Sequence, residues 1–230
     1  MNTNFSAALD FSWNEASFAI VEKNEKILVS EKLQLSGHDA SALPKHLEHA
    51  MVQHGLDSSS ILHWTVGTGP GGFTGLRVAS ALVIGLTYGI PHVKVRGMSS
   101  ASALVRSAIS PEKRTGKCLA LFDGRRSELL AYGLEWKNGS CYHDGFKAVL
   151  RTSSELEDAM GSHPCAAALQ KDSEVIRRFS PGIESSVIFT PSINAEELIF
   201  NAPEDETSSP TDLIYLRAAV FVDPRIPRKI

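Results

Sequence analysis

Residues 67–77 read Gly67-Thr68-Gly69-Pro70-Gly71-Gly72-Phe73-Thr74-Gly75-Leu76-Arg77, and this stretch decides the fold. The residues before it, 61–66, alternate large apolar with mixed side chains, which predicts a half-buried strand. Glycine permits positive φ and the close approach of a backbone or a phosphate, so the stretch predicts a tight loop. Thr74 is a good N-cap, and we expect a helix from Gly75 to a stop at Gly89-Ile90-Pro91.

The predicted helix carries one charge, Arg77, and therefore lacks the solvated face of an ordinary surface helix. At about 100° per residue its side chains fall into stripes. A bulky stripe suited to lie on a sheet contains Leu76, Ala79, Val83, Leu86 and Ile90. A stripe rich in small residues contains Val78, Ala81, Leu82, Gly85 and Gly89. One interpretation is a central core helix, and the other is that one flank docks on a partner helix.

The first half of the chain reads βββαβαβα. Apolar alternation predicts strands at 5–9, 17–21 and 26–33, and a further strand at 92–95. A helix follows Ser41 as N-cap, with Pro44 in its first turn, and a short helix covers 99–107. Three strands followed by alternating helix and strand predict an α/β fold with a mixed sheet flanked by helices.

The second half repeats this opening weakly. Strands are predicted at 117–122, 128–134, 141–149, 165–169 and 187–189, and helices at 153–160, 173–178 and 194–200. Residues 201–209 are acidic and polar and are predicted to form a loop. Each half thus opens with strands that meet at an aspartate, Asp10 and then Asp123. We place the boundary near Ser110-Pro111, which predicts two lobes, 1–110 and 111–230.

The composition of the chain indicates which class of protein it belongs to. The 230 residues are 43% hydrophobic and 21% charged, as expected of a soluble globular chain, and the net charge is −3. Because proteins that grip RNA alone are usually basic, we expect no strong independent RNA binding. The three cysteines have neither zinc spacing nor a disulfide framework, and no secretion signal or membrane span is evident. We therefore expect a cytoplasmic protein.

Residues 70–77, Pro-Gly-Gly-Phe-Thr-Gly-Leu-Arg, resemble the P-G-S-F-T-G-x-R signature of the TsaB/YeaZ family. Three shorter stretches fit in order. Asp10-Phe11-Ser12 stands for the family's D-T-S, Asp123-Gly124-Arg125 for D-A-R, and Pro210 with Tyr215-Leu216-Arg217 for P…Y-L-R. The resemblance spans the chain but is dense only over 60–135. It implies a two-lobed fold of the actin, Hsp70 and sugar-kinase class, also called ASKHA, with ribonuclease-H-like lobes.

The resemblance also implies a function without catalysis. Family members are partner subunits of a TsaD-like transferase that modifies adenosine 37 of tRNA with a threonylcarbamoyl group, together with a small TsaE-like ATPase. In this role the chain contacts tRNA only within the complex and forms a homodimer when alone. The helices at 41–54 and 74–89 are expected to meet the partner. The predicted interface residues are Ala50, Arg77, Val78, Ala81, Leu82, Gly85 and Tyr88.

A nucleotide site is the first alternative. In nucleotide-using members of the fold, two aspartate-bearing strand ends flank the phosphates, which points to Asp10 and Ser12 and to Asp123 and Arg125. The bulky neighbours Phe11 and Trp13 would crowd a phosphate. We therefore expect no firm cofactor and at most weak ATP or ADP binding at the subunit interface, with a stand-alone ATPase as the competing hypothesis.

Two other chemistries are weakly indicated. Gly67, Gly69 and Gly72 match G-x-G-x-x-G, and Arg96 after the next strand suits a 2′-phosphate, so an NADP-binding oxidoreductase stays open. The transferase relatives carry H-x-x-x-H metal ligands where this chain has 97–102, which contain serines, so no metal is expected. The histidines at 46, 49 and 54 form no H-E-x-x-H, and a basic tail at 225–229 suggests a solvated end.

Overall fold

The computed structural model describes residues 4–23, 26–35, 39–200 and 208–217. The predicted loop at 201–209 is described only from Ser208 onward, and the basic tail at 225–229 lies outside these ranges. The elements occur in this order: β1 Phe5–Asp10, β2 Glu15–Glu22, β3 Lys26–Gln34, α1 Leu43–Gln53, β4 Ile61–Gly67, α2 Phe73–Thr87, β5 Lys94–Met98, α3 Ser100–Ala108, β6 Gly116–Arg125, β7 Glu128–Lys137, β8 Ser140–Leu150, α4 Ser153–Ser162, β9 Cys165–Leu169, α5 Ser173–Phe179 and β10 Val187–Thr190.

Two five-stranded mixed sheets carry the fold, and they share one topology. The first has the order β3-β2-β1-β4-β5 and the second the order β8-β7-β6-β9-β10. In each sheet the three leading strands are antiparallel, and the last two run parallel to the strand they join. The predicted α/β fold of mixed sheets with helices is confirmed, and Asp10 and Asp123 occupy corresponding strands.

Helices and sheets alternate in five layers. Helices α1 and α2 cover one face of the first sheet, where Leu47 and Val83 share a core with Trp64. Helix α3 lies between the sheets, in a second core that joins residues of β1 and β6. Helices α4 and α5 cover the far face of the second sheet. Helix α3 packs on the second sheet and on the 3₁₀ turn at 195–198, which itself packs on the first sheet. Every residue of α3 from Ser100 to Arg106 is therefore buried.

Several boundaries differ from the sequence prediction. Helix α2 begins at Phe73, and its N-cap is Gly72, whose carbonyl accepts the Leu76 N–H at 3.2 Å, so the Thr74 cap is wrong. Helix α1 follows a 3₁₀ turn and is capped by Ala42 rather than Ser41. Neither helix start has a side-chain cap hydrogen bond. Helix α1 continues directly from the 3₁₀ turn Asp39–Ala42, and at α2 the Gly72 N–H bonds the Ser12 carbonyl oxygen.

The helix predicted at 194–200 is one 3₁₀ turn, Ala195–Leu198, packed against the first sheet. The Ala195 N–H donates to Ser17 Oγ at 3.0 Å. Further along, Ser208 forms an antiparallel bridge with Gly97 of β5. Segments of the second half thus return to the first sheet, and the division at residue 110 stays a prediction.

Candidate functional site

The glycine-rich loop, residues 67–75, lies against the turn that follows β1. The Gly72 N–H donates to the Ser12 carbonyl oxygen at 2.6 Å. A Cβ atom at Gly75 would overlap the Phe11 carbonyl oxygen, so only glycine allows the two segments to meet. The loop uses its glycines to approach its own chain, and this contact occupies backbone that a phosphate would need. This geometry disfavours the dinucleotide alternative.

Asp10 is the buried centre of this contact, with 2% of its surface exposed. One carboxylate oxygen accepts hydrogen bonds from the Ser12 N–H at 3.0 Å and from Ser12 Oγ at 2.5 Å. The other accepts from Ser100 Oγ, and it would collide with any side chain at Gly67. Burial raises the pKa of Asp10. Because Ser12 is also fully buried, the predicted nucleotide role of this pair is disfavoured.

Asp123, the counterpart on β6, is more accessible. Its Oδ1 accepts the Arg125 N–H at 2.7 Å, and its own N–H lies 3.4 Å from Asp172 Oδ2. Burial raises the pKa of Asp172, which sits behind it. Asp123 and Arg125 both line the second-lobe wall of a cleft, where the Asp123 carboxylate accepts from the Arg125 backbone. Ser12 also lines this cleft, and Asp10 is buried against Ser12. The nucleotide role of these four residues stays a prediction.

The cleft between the lobes has a volume of about 490 Å³. It is lined by the turn after β1, the glycine-rich loop, the β6–β7 turn and residues 215–217. The Trp13 ring stacks on Phe122 with centroids 5.2 Å apart, and the Lys171 ammonium lies 5.6 Å from the Trp13 centroid. Trp13 thus contacts both lobes between their aspartate-bearing strands. Its ring occupies space near the position where we expected it to crowd a phosphate.

Residues 208–217, here called the C-terminal strap, contact the glycine-rich loop and α2 on one side and the start of β7 on the other. The Tyr215 ring stacks on Phe73 with centroids 4.2 Å apart and planes at 6°. Arg77 Nε donates to the Tyr215 hydroxyl at 3.2 Å, and its guanidinium lies 5.3 Å from the Phe73 centroid. Arg217 then pairs with Glu128 at the start of β7. The strap therefore holds the glycine-rich loop and the second lobe together.

The outward face of α2 is uncovered in the isolated chain. Arg77, Ala81 and Gly85 are exposed, and Tyr88 just after the helix is 87% exposed. Among the described residues, no heavy atom apart from the neighbouring backbone of α2 itself and the two adjacent residues lies within 4 Å of the position that a Gly85 Cβ would take. Val78 and Leu82 are half-buried along the same face. The helix thus presents a small-residue surface that is open to an approaching element.

Ala50 of α1 does not belong to this surface. It is only 1% exposed and lies in the core beneath α1, so its predicted interface role is corrected. The exposed apolar side chain on α1 is Val52, at 64%. The helical period predicts Ala50 and Met51 as apolar positions, but it does not say which face of α1 meets the sheet.

The remaining predicted groups are placed as follows. Arg96 Nε donates to Thr65 Oγ1 at 3.1 Å on the neighbouring strand. Within the described ranges, no three His, Cys, Asp or Glu side chains come together as metal ligands. In the same ranges no helix is both long and apolar enough to cross a membrane. The three cysteines are free thiols.

Two contacts at the site are not predicted from the sequence. Ser100 holds Asp10 from a position 90 residues away, and Tyr215 contacts Arg77 across 138 residues. The strap motif is visible in the sequence as Tyr-Leu-Arg, but nothing local indicates that it stacks on the glycine-rich loop. Contacts of this separation depend on the fold and leave no periodic signal.

Comparison with known proteins places this architecture in a family. The family model for TsaD, tRNA N6-adenosine threonylcarbamoyltransferase, matches residues 34–179, more than half of the chain. The tRNA threonylcarbamoyladenosine biosynthesis protein TsaB of Haemophilus influenzae is 29% identical over 122 residues, which cover 53% of this chain. The match spans 50% of that curated relative, about half its length.

Two solved structures from Pseudomonas aeruginosa share the fold. A protein described as similar to the peptidase YeaZ has a TM-score of 0.72 at 21% identity, covering 93% of this chain and 100% of that one. YeaZ itself has a TM-score of 0.70 at 20% identity, covering 91% and 98%. The family model, which matches more than half of the chain, shows that the chain belongs to the family that this threonylcarbamoyltransferase model describes, and the TsaB relative supports its place in the TsaB/YeaZ group.

Proposed function

We propose that this chain is a non-catalytic subunit that binds a TsaD-like transferase and supports threonylcarbamoylation of adenosine 37 in tRNA. The observation that carries the proposal is the uncovered face of α2, with Ala81 and Gly85 open and Tyr88 almost fully exposed. The relative named for threonylcarbamoyladenosine biosynthesis supplies the pathway. The partner is suggested by the transferase family model.

The α2 face suits a helix rather than a small ligand. Small side chains let helix axes approach closely, and ridges of a second helix fit the groove they leave. The flanking half-buried residues, Val78 and Leu82, offer apolar surface that gains free energy when water leaves it. Val52 and Tyr88 are large apolar side chains exposed beyond what a solvated face requires. A partner presenting two helices would cover α1 and α2 together.

The buried groups of the isolated chain support a non-catalytic role. The hydroxyls of Ser12 and Ser100 and one backbone N–H already engage the Asp10 carboxylate. The glycine-rich loop contacts residues 11 and 12 instead of presenting an open cradle. These are the groups that an enzyme of this fold would need for phosphate chemistry. We therefore assign the catalytic step to the transferase partner.

The wider assembly follows from the same proposal. A small TsaE-like ATPase would join the pair, and stable binding of tRNA would require the assembled complex. Without the transferase, the α2 face would pair with a second copy around a two-fold axis, because an uncovered apolar surface favours association. Any ATP or ADP binding would be weak and would lie at the subunit interface. We propose a cytoplasmic location, where tRNA is modified.

Co-purification with the transferase of the same organism tests the interface. Gly85→Arg and Ala81→Arg each insert a long charged side chain into the α2 face, and we expect both to abolish capture of the transferase. Gly161→Arg is the matched control, because Gly161 is an exposed glycine of α4 with open space among the described residues. It should bind as the parent protein does, with all three variants folded by circular dichroism.

Undiminished capture by both α2 variants would overturn the proposed interface.

A separate measurement tests the competing hypothesis that the chain is an ATPase. Saturable stabilisation of the isolated chain by ATP, lost in Asp123→Ala, together with steady ATP turnover, would replace the scaffold role with an enzymatic one.

A further inference from the structure

A second groove adjoins the interlobe cleft, with which it shares Asp123 and Arg125, and lies between the β6–β7 turn, the start of α4 and the end of α5. Its volume is about 570 Å³. Four arginines line it, and we call it the arginine groove: Arg125, Arg126, Arg151 and Arg178. The single carboxylate of its lining is Asp123, whose Oδ1 accepts the Arg125 N–H. Although the chain has a net charge of −3, four arginines thus lie around one groove, and two of them pair with carboxylates that do not line it.

The guanidinium groups of the arginine groove are available to a ligand. Arg125 and Arg126 are exposed, and neither forms an ion pair with any described residue. Arg151 pairs with Glu128 at 3.1 Å, and Arg178 pairs with Glu174 one helical turn before it. Both of these arginine side chains are largely exposed, and exposed ion pairs stabilise a protein little. A phosphate can therefore replace or share these carboxylates.

The backbone at the turn supports a role for these side chains. Arg125, Arg126 and Ser127 all have positive φ, at 60°, 52° and 59°. Left-handed backbone is unfavourable for residues with a Cβ, and tight hairpins ordinarily use glycine or asparagine there. Keeping two arginines in this conformation costs stability that a glycine would not. Strain of this kind, next to a positively charged groove, points to a ligand that needs the guanidinium groups.

We propose that the arginine groove binds the phosphodiester backbone of a single-stranded nucleic acid. Guanidinium groups bind phosphate through paired N–H donors, and four of them around one groove suit a chain of phosphates better than a single anion. The half-buried Phe179 at the edge of the groove offers an aromatic surface on which a base can stack. The binding is electrostatic and independent of base sequence, and it does not require the α2 face.

Fluorescence anisotropy of a labelled 12-nucleotide oligouridine tests the proposal on the full chain. The double variant Arg125→Glu/Arg126→Glu should weaken binding at least about tenfold. Loss of two phosphate contacts should also reduce the slope of log Kd against log salt by about 1.4, from about 0.7 per contact on single strands. Lys45→Glu/Lys113→Glu carries the same charge change on exposed residues that do not line the groove, and it should stay within about threefold of the parent.

A second variant separates binding from folding. Arg126→Gly removes one guanidinium and relieves the positive φ, so we expect weaker RNA binding with an equal or higher thermal midpoint. Three outcomes would overturn the proposal: no binding by the parent chain, equal losses in the groove and control variants, or displacement of the RNA by ATP at equal phosphate concentration. The last would assign the arginines to a mononucleotide. None of these outcomes bears on capture of the transferase, so the two proposals fail separately.

Discussion

Asp10 lies at the strand end that flanks the phosphates in nucleotide-using members of the fold, but in this chain its carboxyl group is buried in the core. Two hydroxyls and one backbone N–H surround its oxygens, and burial raises its pKa. A second residue, Tyr215, joins the C-terminal strap to Phe73 through its ring and to Arg77 through its hydroxyl. Both residues act by contact with distant segments, and their roles can be separated by conservative substitutions.

Asp10→Asn should change the pH dependence of stability. Because the folded-state pKa is raised, the unfolded chain releases the Asp10 proton first as pH rises, from about pH 4. The parent protein therefore loses stability, relative to a variant that does not titrate, until the pH passes the raised value. Urea unfolding of both proteins between pH 4 and pH 8 measures this difference. A difference that stays flat, or that moves in favour of the parent, contradicts the assignment.

Tyr215→Ala should destabilise the chain more than Tyr215→Phe. The phenylalanine variant loses only the hydroxyl that accepts from Arg77 at 3.2 Å, a cost of about 0.5–1.5 kcal/mol. The alanine variant also loses the stack on Phe73 and should cost about 1–3 kcal/mol in total. Equal unfolding free energies for the two variants, measured in urea, would show that the ring stack contributes nothing.

Helix α2 is the element on which the proposed function depends. Leu76, Ala79 and Val83 are fully buried on the sheet side, while Ala81 and Gly85 face outward. The inward side chains give the helix its stability, because helices in proteins are held mainly by the packing of an apolar face. Gly85 lies in the last turn of this helix, where glycine costs more backbone entropy than alanine would, so a packing role would explain why glycine occupies this position.

Gly85→Ala should stabilise the isolated chain by about 0.5–1 kcal/mol, because alanine costs less backbone entropy and its Cβ meets open space among the described residues. The same methyl group should weaken capture of the transferase, since it fills the gap that close helix packing needs. Gly161→Ala on α4 is the control, with a similar gain in stability and unchanged capture. Parallel behaviour of the two variants in capture would remove the special role of Gly85.

The whole molecule is held together at the layer between the sheets. Helix α3 contributes Arg106, whose side chain is 1% exposed and donates from Nε to Glu197 Oε2 at 2.9 Å. Arg114 reaches the other oxygen of Glu197 at 3.6 Å. Because Glu197 belongs to the 3₁₀ turn after the second sheet, this cluster ties the end of the second half to the first. Trp13 and the C-terminal strap make the other connections.

Glu197→Gln should cost about 2–3 kcal/mol of unfolding free energy, because it leaves the buried guanidinium of Arg106 without a full charge partner. Glu196→Gln is the matched control. The Glu196 carboxylate accepts from Ser30 Oγ at 3.3–3.4 Å, and that contact is exposed, so its loss should stay within about 0.5 kcal/mol. Similar losses in both variants, measured by urea unfolding, would contradict a structural role for the buried pair.

The local order of strands and helices follows from the sequence alone, because periodicity, glycine and proline act over a few residues. It predicted the repeated βββ opening of each half, the nearly uncharged α2 and the meeting of each set of strands at an aspartate. It placed the helix starts less well, at Thr74 and Ser41, because neither helix uses a side-chain cap and a capping residue nearby is then a misleading signal.

Tertiary structure alone decided what each of these elements contacts. It buried Asp10 under Ser100, placed Ala50 in the core, laid Tyr215 on Phe73 and gathered four arginines around one groove. These contacts join residues far apart in the chain, and they form only when the two sheets close around α3. A sequence carries periodic signals within an element, whereas the pairing of distant side chains is set by the free energy of the whole packed molecule.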